Sequence, residues 1–144
     1  MYHFIDTNKY KGRKRIITYK EYIAYEGEAF TIEWYYNQKG QSIALEYYQS
    51  LSKEDRIKVL RLFQLMGNIG EIKDKNKFNS EGDKIYAFKP QPHRFLCFFI
   101  PGKKIVVTNA FYKKQQKLPK KEKERALNCK EDYEVRTCRG DYYD

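Results

Sequence analysis

Four cations of this chain stand where apolar runs begin or end. Lys89 closes KIYAFK (84–89), Arg94 follows the first residue of HRFLCFFI (93–100), and Lys113 and Lys114 come directly after KIVVTNAFY (104–112). In β-structure alternate residues share a face. Arg94, Leu96 and Phe98 therefore fall on one side, Asn109, Phe111 and Lys113 on one side, and Ala110, Tyr112 and Lys114 on the other. If these strands are neighbours, Lys89, Arg94 and one of Lys113 or Lys114 gather at one end of a sheet. Such a set has the groups needed to cut RNA through the ribose 2′-hydroxyl. A lysine crowded by other cations loses its proton more readily and can act as base. An arginine stays charged and grips phosphate with two N–H groups. Fixed cations stabilise the charge that develops on the phosphorane. His93 and Tyr112 are further candidates for proton transfer or base stacking.

Each residue also has an ordinary alternative. Lys89 precedes Pro90 and can be a solvated strand end. Arg94 can pair with a helix carboxylate, His93 can be a solvated loop histidine, and Tyr112 can be packing in a chain with 14 tyrosines. Lys117, Lys120, Lys121 and Lys123 read as an exposed helix face that adds nonspecific attraction for RNA.

The elements that must carry these residues follow from pattern. FTIEWYY (30–36) is aromatic and β-branched, as in a strand, and Gly40 ends it. SIALEYYQS (42–50) reads as a short helix. Ser52, with Asp55 three residues on, starts a second helix whose apolar stripe runs to Gly67 and Gly70. A helical hairpin follows. Residues 71–83 are polar and read as a loop. KIYAFK, HRFLCFFI and KIVVTNAFYK are three strands, the last two joined through Pro101-Gly102 as an antiparallel hairpin. Pro119 introduces a helix over 120 to about 133, and RTCRGDYYD reads as a ragged tail. The expectation is an α+β fold: a curled, mainly antiparallel sheet, the helical hairpin on one face, a C-terminal helix, and the other face partly open. Residues 1–28 stand apart as an N-terminal extension, 29–136 form the domain, and 137–144 are the tail. The extension, with its basic KYKGRKR, reads equally as an added strand, a cover for a sheet edge, or a flexible arm.

The totals agree with a one-domain protein. The chain has 144 residues, 41% of them hydrophobic and 17% aromatic, enough for a core. Lys and Arg number 29 against 19 Asp and Glu, a formal charge of +10. The excess is local: 103–125 holds nine Lys or Arg against two Glu. A concentrated basic surface favours a polyanionic partner. No apolar run is long enough for a membrane span, and no secretory leader is evident at the start. The three cysteines, Cys97, Cys129 and Cys138, lack metal-ligand spacing and are read as reduced thiols of a cytoplasmic protein. There is no P-loop, no dinucleotide-binding glycine motif, no HExxH and no CxxC. The expected chemistry needs no metal or other cofactor.

YAFK (86–89), RFLCFF (94–99), AFYKKQQKLP (110–119) and KKEKERA (120–126), with the upstream EYYQSLSKEDRIKVLRLFQLMGNIG, resemble the RelE/ParE superfamily of type II toxin–antitoxin systems. The phage-derived, HigB-like branch is the nearest. The likeness spans about 30–135, and FxKKxQKxP is its most specific motif. It implies a compact α+β toxin in the cytoplasm, neutralised by a cognate antitoxin that is a small helix-turn-helix protein. It further implies cleavage of mRNA on the bacterial ribosome. It places a family arginine at Lys89, matches Arg94 and the Lys113–Lys114 pair, and departs at Cys97 (often tyrosine) and Ala110 (often glycine). A gyrase-blocking, ParE-like toxin of the same fold and a noncatalytic nucleic-acid-binding module are the alternatives.

Overall fold

A computed structural model describes residues 15–143; the basic run at 9–14 and His3 lie outside the described residues. The elements are α1 (Tyr19–Tyr22), β1 (Ile23–Glu26), β2 (Thr31–Trp34), α2 (Ile43–Ser50), α3 (Lys53–Ile69), β3 (Phe78–Gly82), β4 (Ile85–Phe88), β5 (His93–Ile100), β6 (Lys104–Tyr112) and α4 (Lys120–Arg139). The strands form one six-stranded sheet in the order β1-β2-β6-β5-β4-β3. Among the described residues only β2 and β6 run parallel. The fold is α+β with an open, mostly antiparallel sheet.

Local sequence explains most boundaries. The Ser42 side chain accepts the Leu45 N–H at the start of α2, and Ser52 accepts the Asp55 N–H at the start of α3. Gly70, at φ 93°, ends α3 in the left-handed conformation. Gly67 does not end it. Its carbonyl accepts the N–H groups of Ala29 and Phe30 at 2.8 and 2.9 Å, so the β1–β2 turn sits on the helix backbone. A Cβ on Gly27 would lie 2.2 Å from the Gly67 carbonyl. Gly27→Ala must therefore push the turn off α3, and we expect a loss of about 1–3 kcal/mol in chemical denaturation, the usual cost of forced overpacking. An unchanged midpoint would contradict this contact.

β5 is buried from His93 to Phe98 because helices cover both its faces, not one as the pattern suggested. Phe95 meets Tyr47 of α2 and Phe63 of α3, while Phe98 meets Tyr133 of α4. α4 thus lies on the face expected to be open. The polar stretch 71–83 is not all loop, since 78–82 pairs with β4 as an edge strand. Residues 23–26 add a strand beside β2, which selects one of the open readings for this part of the N-terminal segment.

The ragged tail is the clearest correction. α4 continues to Arg139, and Gly140 closes it at φ 82°. Arg136 turns inward, donates to the Tyr36 carbonyl and to Asp132, and lies 4.6 Å over the Tyr142 ring. Tyr142 is buried among Tyr22, Tyr35, Tyr133 and Tyr143. No helix among the described residues is long and apolar enough to cross a membrane.

Candidate phosphate-binding cleft

The face of the sheet not covered by the hairpin carries a cleft of about 140 Å³ beside the start of α4. Ala87 of β4, Arg94 of β5 and Phe111 of β6 contribute to its lining, as do Glu81 of β3, the β4–β5 connection and the segment 113–119. Antiparallel register makes this convergence. Arg94 pairs with Phe111, and Phe88 pairs with Phe95; one step further, Lys89 comes opposite Arg94. Lys113 is tied to the same end, since its N–H donates to the Pro92 carbonyl at 2.9 Å. The segment 113–119 is held over the cleft by buried Asn109, whose side chain donates to the carbonyl and carboxylate of Glu122 at the start of α4.

The charge is one-sided. Lys89, Arg94, Lys113, Lys114 and Lys117 line the cleft, with Glu81 the only carboxylate among the lining residues. Burial lowers the Lys89 pKa; Glu81 opposes that, and Arg94 and Lys113 lower it further. The Lys89 ammonium donates to the Lys75 carbonyl at 3.3 Å and makes no ion pair among the described residues. Arg94 is 8% exposed. Its guanidinium donates to the His93 carbonyl at 2.9 Å and to the Gln91 side chain at 3.2 Å, both neutral acceptors. No ion pair to Arg94 exists among the described residues, so the salt bridge weighed from sequence does not form there. Burial lowers its pKa, and Glu81 acts against this. An arginine withdrawn from water, with no contacting carboxylate among the described residues, is chemically suited to hold an anion.

The other candidates are placed differently. The His93 side chain faces the hairpin, bonded to Tyr47 at 2.7 Å and Asp55 at 2.9 Å. Tyr112, 55% exposed, meets the His93 ring edge-on. Neither lines the cleft. Lys120 is exposed at the start of α4, and Lys121 lines a separate concavity with Tyr35 and Arg125. Lys123 pairs with Asp83 at 2.7 Å. Sequence reasoning missed Glu81, Gln91 and Phe111 as cleft residues. Phe111 was visible in the alternation, on the same face as Lys113; Glu81 was hidden in the stretch read as loop. Cys97 and Cys129 are buried free thiols whose pKa burial raises, and Cys138 is an exposed free thiol.

A small α+β protein with a cationic cleft at its strand ends is the class that fold and site define. The family model for phage-derived Gp49-like proteins (DUF891) matches residues 46–131, and the chain belongs to that family. It is a RelE-like toxin family of toxin–antitoxin systems, and a cognate antitoxin is the partner that membership indicates. The matched span runs from α2 into α4 and includes every residue lining the cleft. No curated protein matches the chain.

Proposed function

We propose that this protein is the toxin of a type II toxin–antitoxin system, of the HigB-like branch, and that it cuts mRNA on the bacterial ribosome in the cytoplasm. The observation that carries the reading is Arg94, almost buried and bonded only to neutral acceptors among the described residues, in a cleft with four lysines. Arg94 and Lys113 hold the scissile phosphate and stabilise its developing charge. Lys89, in its neutral form, takes the proton of the 2′-hydroxyl, and Glu81 is the second group placed to accept it. The 2′-oxygen bonds to phosphorus as the bond to the 5′-oxygen breaks, and Lys113 or Lys114 protonates the departing oxygen. Phe111, half-buried in the cleft, offers a face on which a base can stack. Lys114, Lys117, Lys120 and Lys121 extend the positive surface along the RNA, and their contribution weakens with salt. The neutralising partner is a small helix-turn-helix antitoxin.

The role of Lys89 gives a pH prediction. A base must be neutral, and the Lys89 pKa is lowered, chiefly by burial. Cleavage therefore rises with pH through that lowered pKa. Lys89→Arg, which stays charged, is expected to abolish the rise. Single-turnover rates from neutral to alkaline pH check this. An identical rise in Lys89→Arg would contradict the base role of Lys89.

A further inference from the structure

His93 has the chemistry of a proton-transfer residue but points away from the cleft, and its surroundings show a different use. Asp55, at the start of α3, accepts from Nε2 at 2.9 Å. Its carboxyl is held below the usual carboxylate range, first by that hydrogen bond. An ionised carboxylate has no proton to give, so Nε2 must carry the hydrogen. In the neutral ring Nδ1 is then an acceptor, and the Tyr47 hydroxyl of α2 donates to it at 2.7 Å. The ring is thus fixed at both nitrogens by two helices, is nearly buried, and meets the edges of Tyr47 and Tyr112.

The backbone of the same residue faces the other way. The His93 carbonyl accepts from the Arg94 guanidinium at 2.9 Å, and the His93 N–H donates to the Pro90 carbonyl at 2.9 Å. The Pro92 carbonyl accepts the Lys113 N–H at 2.9 Å. Both cations assigned to the phosphate therefore hang from the segment 90–94, and the side chain of His93 pins that segment to the hairpin. We propose that Asp55, His93 and Tyr47 form a positioning relay through the sheet, which holds Arg94 and Lys113 in the geometry that binds the scissile phosphate. The relay rests on the reading of Arg94 as the phosphate clamp. It makes the helical hairpin part of the active machinery and gives His93 a role in orientation, not in proton transfer. A histidine held by a carboxylate on one nitrogen and a hydroxyl on the other is restrained in all but its bond to the main chain, which suits a residue that must not move.

The relay is tested with Asp55→Ala, Asp55→Asn and Tyr47→Phe, each read in two ways. The first is single-turnover mRNA cleavage on programmed ribosomes. The second is the Arg94 Nε–H cross-peak in an ¹⁵N NMR spectrum of the free protein, which reports the guanidinium without any activity. Alanine removes the acceptor for Nε2–H; asparagine keeps an acceptor oxygen there. We expect Asp55→Ala and Tyr47→Phe to slow cleavage on the order of 10- to 100-fold, as a misplacement of about 1 Å does. Their Arg94 cross-peak should move towards that of a freely rotating arginine. Asp55→Asn should recover most of both signals, which a merely structural loss of stability would not do. A folded Asp55→Ala protein with the Arg94 cross-peak at its wild-type position overturns the relay. A wild-type protein that cuts nothing overturns the proposed reaction, while the cross-peak still decides whether the relay holds Arg94.

Discussion

Arg94→Ala should lower the rate of mRNA cleavage by about 10²–10³-fold, the usual loss when one fixed donor to a developing charge is removed. The geometry makes this the largest single effect in the cleft. Arg94 is the most enclosed of its cations, and its two side-chain hydrogen bonds leave other N–H groups of the guanidinium available to phosphate. Arg94→Lys should recover little, because an ammonium lacks the planar fork and cannot hold two phosphate oxygens at once. The loss is expected without unfolding. The residue removed makes no ion pair among the described residues, and truncation relieves the cost of burying an uncompensated charge. Rates measured alongside a thermal melt separate the effects. A folded Arg94→Ala protein that cuts at the wild-type rate would contradict the assignment.

The second large effect concerns stability. Tyr142→Ala should destabilise the protein by about 3–5 kcal/mol, as loss of a large buried aromatic does. Tyr142 is 2% exposed, and its oxygen accepts the Tyr36 N–H at 3.0 Å. Its ring joins α1 and the residue after β2 to α4 through Tyr22, Tyr35 and Tyr133, with Arg136 stacked above. Removing it opens a cavity and leaves the Tyr36 N–H without that acceptor. Next to it the Tyr143 hydroxyl donates to buried Glu33, which also pairs with Lys104 at 3.0 Å. The last turn of the chain is thus a clasp between the first strands and the last helix. Chemical denaturation measures the loss; a midpoint close to wild type would show that the clasp carries no load.

Much of the scaffold was readable from the residues, and the failures share a physical reason. β5 and β6 were evident because continuous apolar runs bounded by Pro101-Gly102 have few other interpretations. The second hairpin helix was marked by its Ser52 cap. β3 was missed because an edge strand needs pairing on one side only; in FNSEG just Phe78 is buried, and no alternation stands out. The end of α4 was missed because Arg136 reads as a surface residue, yet Asp132, the Tyr36 carbonyl and the aromatic rings let it turn inward. At the cleft, alternation correctly grouped Arg94 with one face and Phe111 with Lys113. It could not say that His93 would look towards the hairpin, because that depends on which face each helix covers. Glu81 depends on β3 existing at all. The open alternatives for the N-terminal segment are resolved only from Arg15 onward, where Tyr36 and Tyr142 supply partners far along the chain.

The central claim is that phosphate is cut where these strand-end cations meet. The most direct test mixes purified protein with an mRNA, with and without programmed bacterial ribosomes, and maps the new 5′ ends by primer extension. Cuts that require the ribosome and vanish in the Lys113→Ala/Lys114→Ala protein are the predicted result. No cuts from the folded wild-type protein in either condition would contradict it, and the basic cleft would then serve docking alone.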